Sequence, residues 1–388
     1  MELVKLGEVA EILNGFAFKS DAFINQGTKV IRIGDINDNK VYKDNCVCID
    51  EKTYSFPDLC RVKKDDVLMA LSGATTGKIG IIDEELEGAL VNQRIAIIRS
   101  QNQTTQKYIQ YIFRGELLQK LLINAWGAAQ PNLSSNALRS LEIPLPPIAS
   151  QRRIANILDK ADEIIRKRKE AIALTEQLQK SIFLDMFGDP VTNPKGWEVK
   201  RLEDVTTKIT DGTHKTPQYV QEGILFLSAK NIKKHKIDWD NIKFISPDEH
   251  NKLIKRCNPE MGDILLTKSG SIGDAVLIDK HLEFSLFESV ALIKLNKKVI
   301  NPLFLSFLLN QSSVGFFYKR NTKGITIKHL HLVDIKRIPI IVPAQQKQNE
   351  FCFKVQKIKD QENLLLKFLQ ESENLFNSLL QKAFKGEL

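Results

Sequence analysis

Short apolar runs rich in β-branched residues, separated by turn-forming residues, occur in two stretches of the chain. Such runs are typical of β-strands. They are residues 29–36, 67–71, 79–83 and 90–99 in the first half, and 224–228, 264–267, 275–279 and 289–295 in the second. A helical segment follows each set, at 106–126 and 303–320, and then a short Ile-Pro strand. The pattern predicts one mixed α/β domain in each half.

A different pattern follows each domain, with apolar residues recurring at heptad spacing over about 40 residues. Ser150 is predicted to cap the first of these helices, and the second runs from about 344 to 385. The predicted seams are Ile154, Ile157, Ala161, Ile164, Ala171, Leu178 and Ile182, then Phe351, Val355, Ile358, Leu365, Leu369, Phe376, Leu379 and Ala383. Because an apolar stripe needs a partner, we expect the two helices to pack together as an antiparallel coiled coil.

Six short matches between the halves keep their order, with offsets between 195 and 197 residues. Residues 66–73 resemble 263–270, for example, and residues 94–99 resemble 289–294. This predicts an α+β fold with pseudo-twofold duplication, two similar mixed α/β domains being joined by two long helices. The expected segments are 1–148 (first domain), 149–188 (central helix), 189–343 (second domain) and 344–388 (C-terminal helix).

The net charge of +9 permits an anionic partner such as nucleic acid but does not require one. Cys46 and Cys48 have a spacing seen in zinc sites, but no second close pair accompanies them, so we predict no metal and a reducing compartment. The sequence has no signal peptide and no apolar run long enough for a membrane span. We therefore expect a cytoplasmic protein.

Sequence motifs of DNA-modifying enzymes are absent. Residues 72–78 resemble a phosphate-binding loop, but the glycine spacing is too short and Ile79 replaces the required Ser or Thr. Methyltransferase and nuclease motifs are missing, and His329 and His331 lack an apparent third metal ligand. We predict a non-catalytic subunit without a cofactor. Two other classes of protein remain open at this point. One is a helical scaffold or regulator that binds no DNA, and the other is a DNA enzyme with unrecognised motifs.

Several segments resemble the specificity subunits of type I restriction–modification systems. They are the C-terminus 378–388, the junction 143–147 with 151–154, the segment 211–217 with 226–228, and the loop 127–134. The resemblance implies that each domain reads half of a bipartite double-stranded DNA target. It also implies that the helices space the domains and hold two methyltransferase subunits, with restriction/translocase subunits joining through the complex. Since residues 321–328 replace the first domain's Gln-Pro-Asn loop, the two domains should read different sequences.

Candidate DNA contacts are the polar, basic and glycine residues of the predicted loops, because these side chains read base edges and hold phosphates. In the first domain they are Ser72, Gly73, Thr75, Thr76, Lys78, Gln93, Arg94, Gln130 and Asn132. In the second they are Thr213, His214, Lys215, Thr216, Lys230, Asn231, Lys268, Ser269, Ser271, Lys323 and Lys328. That half or more of them only build turns remains open. The basic run 166–169 is interpreted as a solvated helix face or a partner contact.

Overall fold

A computed structural model describes residues 2–115, 118, 133–322 and 329–388. The chain divides into two compact units, Met1–Glu170 with Leu366–Leu388, and Ala171–Leu365. Each unit therefore contains one globular part and a section of both long helices. No helix in the described ranges is long and apolar enough to cross a membrane.

The first unit is built on a six-stranded sheet and a three-stranded sheet. The six strands, in spatial order, are Glu11–Asn14, Ile95–Arg99, Val67–Ala70, Ile79–Ile81, Asn39–Val41 and Ile36–Asn37. The smaller sheet has the order Val47–Ile49, Thr28–Ile31, Leu90–Val91, and Leu3–Lys5 pairs with Glu142–Pro144. Its helices within residues 2–115 and 133–147 are Leu6–Val9, Gln103–Arg114 and Ser135–Arg139. The predicted strand 90–99 is thus two strands, which belong to different sheets.

The second unit repeats this plan with two four-stranded sheets. One has the order Thr206–Asp211, Val290–Leu295, Ile264–Thr267, Ala275–Leu277, and the other Tyr219–Val220, Lys243–Ile245, Ile224–Leu227, Phe284–Leu286. Two-stranded pairs join Val199–Arg201 to Pro339–Ile341 and Ile232–Lys233 to Lys236–Ile237. The helices are Pro247–Leu253, Pro302–Leu309, Ser312–Asn321 and Leu332–Lys336.

The helix predicted over 303–320 is interrupted in the structure. The side-chain amide of Asn310 donates to the carbonyls of Ala275 at 2.8 Å and Ser306 at 2.9 Å. Asn310 therefore caps the first helix and ties it to the sheet, since its amide competes for backbone acceptors.

Strand pairing in the two units has the same register, which confirms the predicted duplication of the mixed α/β domain. Ala96 lies opposite Asn14 in the first unit, and Ala291 lies opposite Asp211 in the second. An equivalent parallel pair also occurs in each unit, in which Ile31 lies beside Val91 and Leu227 lies beside Leu286.

The two long helices are Ile148–Phe187 and Gln345–Lys385. In the second unit they pack antiparallel, because Gln179 Nε2 donates to Glu362 Oε2 at 3.2 Å while the ring centroid of Phe183 lies 5.5 Å from that of Phe351. The seam of the C-terminal helix is confirmed, with buried residues at Phe351, Val355, Ile358, Phe376 and Ala383.

The predicted seam of the central helix is wrong at two positions. Ile164 and Leu178 are 48% and 49% exposed, whereas Ile165 and Gln179, one residue further along, are buried. The basic run 166–169 lies on the helix surface, where Arg166, Lys167 and Lys169 pair with nearby glutamates and Arg168 contacts the C-terminal helix. That arrangement agrees with the predicted solvated helix face.

Candidate nucleic-acid interface

A glycine-containing loop joins two neighbouring antiparallel strands of one sheet in each unit, at residues 71–78 and 268–274. Gly77 and Gly273 have positive φ angles of 82° and 94°, a conformation that favours glycine. Their N–H groups donate to the last residue of the preceding strand, at 2.9 and 3.0 Å. The two loops therefore close with the same glycine conformation and the same hydrogen bond to the preceding strand.

A turn lies beside each loop, just before the next strand of the same sheet. The N–H of Leu71 donates to the Arg94 carbonyl at 2.9 Å, and in the second unit the N–H of Lys268 donates to the Ser289 carbonyl at 2.8 Å. The two turns are residues 92–94 and 287–289. Loop and turn thus form one continuous surface in each unit.

This surface gathers most of the residues predicted to contact DNA in the first domain. They are Ser72, Gly73, Thr75, Thr76, Lys78, Gln93 and Arg94. The side chains of Gln93 and Arg94 are exposed, as is Lys78, whose Nζ donates to Asn37 Oδ1 at 2.9 Å. The other two, Gln130 and Asn132, lie outside the described residues.

In the second unit the predicted residues approach the same surface from two directions. Ser269 and Ser271 belong to the loop, and Thr213 joins the turn because its carbonyl accepts from the Glu288 N–H at 3.0 Å. The exposed residues His214, Lys215 and Thr216 continue from Thr213, and Lys230 is exposed on a separate segment. Lys323 and Lys328 lie outside the described residues.

Two predicted contact residues are buried, contrary to the exposure expected of a side chain that touches DNA. Asn231 accepts from the Ser228 N–H at 3.0 Å and donates to the Asn241 carbonyl at 3.1 Å, so its amide holds the local turn. Lys268 is 6% exposed, and its Nζ donates to Asp211 Oδ2 at 2.5 Å and to the Glu288 carbonyl at 3.0 Å. Both side chains are therefore occupied within the unit.

Asp211 is the centre of a charged cluster beneath this surface. Its carboxylate is 3% exposed and contacts Lys268, Arg256 and, at 3.4 Å, Nε2 of His214. A buried carboxylate needs such partners because desolvation otherwise strongly disfavours its charge. The cluster fixes the start of segment 211–217 against the loop.

The equivalent surfaces carry different chemistry. Where the first unit has Lys78 and Arg94, the second has Asp274 and Ser289 at the same backbone positions, and Glu288 stands where the first has Gln93. One surface is rich in hydrogen-bond donors and the other in acceptors.

A hairpin and a cleft beside each loop were not predicted from the sequence. The first cleft, of about 390 Å³, is lined by Asn37, Asp38 and Lys78, and the second, of about 550 Å³, by Lys234, Ser271 and Lys319. The run Lys230-Asn-Ile-Lys-Lys-His-Lys236 was the signal that could have indicated the second hairpin.

Within the described ranges, no group of three or more His, Cys, Asp or Glu side chains is placed to hold a metal ion. His331 is exposed at the start of a short helix and His329 is half-buried. Burial raises the pKa of the Cys46 thiol to about 11, and that of Cys257 likewise. These thiols are therefore protonated near neutral pH.

Residues 1–174 and 194–371 both match the sequence model of the family described as the type I restriction modification DNA specificity domain. The chain belongs to this family. The match falls once on each half, as the internal duplication does. Membership in the specificity-domain family gives the chain a role in DNA sequence specificity and not in catalysis.

Curated proteins similar to this specificity-domain chain are named as type I restriction enzyme specificity subunits. The type I restriction enzyme EcoBI specificity subunit of Escherichia coli is 26% identical, over 99% of this chain and 85% of its own length. The MjaIX specificity subunit of Methanocaldococcus jannaschii is also 26% identical, over 84% of this chain and 79% of its own length.

Two solved structures share the fold. A type I restriction–modification system S subunit from M. genitalium has a TM-score of 0.54 at 15% identity, covering 99% of this chain and 96% of that one. A chain from a study of the assembly and conformational transition of the type I R-M system has a TM-score of 0.58 at 18% identity, covering 100% and 98%.

Proposed function

We propose that this chain reads a bipartite DNA target, with one half-site bound by the loop and turn of each unit. The observation that carries the proposal is the pair of equivalent surfaces, 71–78 with 92–94 and 268–274 with 287–289. Each combines glycine-bearing backbone with exposed polar side chains, the features used for phosphate contact and base readout.

The two half-sites should differ because the side chains differ. Arg and Lys donate to the guanine O6 and N7 acceptors, whereas Asp and Glu accept from the cytosine amino group. We assign Arg94 and Gln93 to base edges and Lys78 to phosphate in the first half-site. Glu288, Ser271 and His214 are the corresponding candidates in the second, with Lys268 and Asn231 positioning the surface from beneath.

We further propose that the long helices hold two methyltransferase subunits, and that restriction/translocase subunits join through them. Several large apolar side chains on these helices are exposed, which suits a helix face that a protein partner covers. They are Ile164, Leu174, Leu178, Leu364, Leu366, Phe368 and Leu375.

A methylation map of genomic DNA tests the proposal. A host that carries this chain with its methyltransferase subunit should methylate a discontinuous sequence with two unequal half-sites around unread base pairs. The host with the methyltransferase subunit alone should lack that pattern, and the purified chain alone should methylate no DNA. A continuous target, or two identical half-sites, would contradict two different reading surfaces.

A further inference from the structure

Positive charge is distributed unequally between the two halves of the chain. Residues 1–148 contain 17 Lys and Arg against 18 Asp and Glu, whereas residues 189–343 contain 24 against 17. Most of the chain's net charge of +9 therefore belongs to the second domain. Any general attraction between the chain and a polyanion should act mainly there.

Part of this charge is concentrated in one hairpin, which we call the lysine hairpin (residues 230–237). Its two short strands pair so that Lys233 lies directly opposite Lys236, and Lys230 and Lys234 are exposed as well. Like charges directly opposite each other destabilise a strand pair. No ion pair to these four lysines occurs in the part of the chain that the structure describes. A bound anion would relieve this repulsion.

The hairpin is held in place by the half-buried residue of its turn, His235. The ring of His235 stacks on Phe307 with a centroid distance of 4.2 Å, and the His235 N–H donates to the Ala275 carbonyl at 3.0 Å. Burial lowers the pKa of His235 to about 4, so this anchor is uncharged near neutral pH. A fixed hairpin loses little conformational entropy when a ligand binds it.

The position of the hairpin places its charge beside the proposed reading surface. Lys234 lines the same cleft as Gly270, Ser271 and Gly273 of the loop, and Lys319 lines it as well. A duplex whose bases are read at the loop would therefore bring its backbone close to these ammonium groups.

The equivalent hairpin of the first unit has no such charge. Asn37 lies opposite Lys40 there, and Asp38 occupies the turn. Asn37 accepts a hydrogen bond from Lys78 and donates one to Asp38. The lysine hairpin is thus a feature of one unit and not of the repeated fold.

We propose that the lysine hairpin is a phosphate-binding element that holds the DNA backbone next to the second half-site. It supplies a major share of the salt-dependent affinity of the chain, while the first domain contributes mainly base readout. This inference rests on the proposed function. It adds which residues supply the phosphate contacts and which domain contributes mainly base readout.

The test compares two triple variants with the same loss of charge, each in the assembled complex with methyltransferase subunits. The first is Lys233→Gln, Lys234→Gln and Lys236→Gln. The control is Lys280→Gln, Lys297→Gln and Lys298→Gln, three exposed lysines beyond the strand ends that lie opposite the loop. Affinity for a random-sequence duplex and for the mapped target is measured from about 50 to 200 mM salt.

Each phosphate contact contributes roughly 0.9 to the slope of log affinity against log salt. The hairpin triple should therefore make this negative slope shallower by about 2 to 3. The control triple should leave the slope near the parent value. The ratio of affinities for target and random DNA should stay unchanged in both, because phosphate contacts carry no sequence information.

Equal slopes for the two triples would overturn the inference, since net charge and not the hairpin would then set the affinity. A hairpin triple that keeps the parent slope would overturn it while leaving the proposed function intact. A parent complex that binds neither duplex would remove the proposed function and this inference together. Thermal unfolding of the hairpin triple should occur at or above the parent temperature, because the substituted side chains are exposed and their mutual repulsion is removed.

Discussion

At the scale of single residues, the buried pair of Asp211 and Lys268 distinguishes the two units. The first unit has Asn14 and Leu71 at the equivalent backbone positions, so two uncharged side chains replace the ion pair there. Removing one partner of a buried ion pair leaves an uncompensated charge, which costs about 3–5 kcal/mol, whereas replacing both by neutral groups is often tolerated.

We therefore expect Asp211→Asn to lower the free energy of unfolding by about 3 kcal/mol or more. The double variant Asp211→Asn with Lys268→Leu should recover most of that loss, as it copies the arrangement of the first unit. Denaturant unfolding followed by tryptophan fluorescence measures both, with exposed Asp240→Asn as the matched control. A double variant no more stable than Asp211→Asn would show that the unpaired Lys268 ammonium does not cause the loss of stability.

At the scale of elements, both long helices pass from one compact unit to the other, at 170–171 and 365–366. If they set the distance between the half-sites, four alanines inserted at both points should lengthen each helix by about 6 Å. DNA rises about 3.4 Å per base pair, so the spacer in the methylation map should grow by one or two base pairs.

The half-site sequences should stay the same, because the loops and turns are untouched. Alanine substitutions at Glu170 and Leu366, without insertion, provide the control for changes in helix sequence. An unchanged spacer, or altered half-sites, would mean that these helices do not measure the target.

At the scale of the whole molecule, the end of the chain completes the core of its beginning. Phe376, Leu380 and Ala383 are buried in the same cluster as Tyr108, and the ring centroid of Phe376 lies 6.2 Å from that of Tyr111. The first domain therefore depends on residues more than 200 positions later in the sequence.

Phe376→Ala should destabilise the first unit by about 3–5 kcal/mol, because it leaves a cavity in that core. Hydrogen exchange should accelerate in Gln103–Arg114 and stay slow in Pro302–Leu309 of the second unit. Leu375→Ala, at a neighbouring residue that is 58% exposed, should change neither. Equal loss of protection in both units would show that they unfold as one block.

The placement of the candidate site could be predicted only in part. The glycine loops and the polar residues near them were visible in the sequence, since turn chemistry is local. The burial of Lys268 was not, because its partner Asp211 is 57 residues away and a lysine in a loop ordinarily faces solvent. The lysine hairpin could not be predicted for a similar reason, because only strand pairing places Lys233 opposite Lys236.

The sequence by itself determined the duplication, the alternation of α/β domains with long helices, and the specificity family. The duplication and the alternation follow from a repeat and a periodicity that local order preserves, and the family follows from the resemblance of short motifs. Only the tertiary structure decided which face of the central helix is buried, since Ile164 and Ile165 are equally apolar and packing selects the second. It also decided that loop and turn meet in each unit, because contacts between distant strands depend on the sheet register and not on any local pattern.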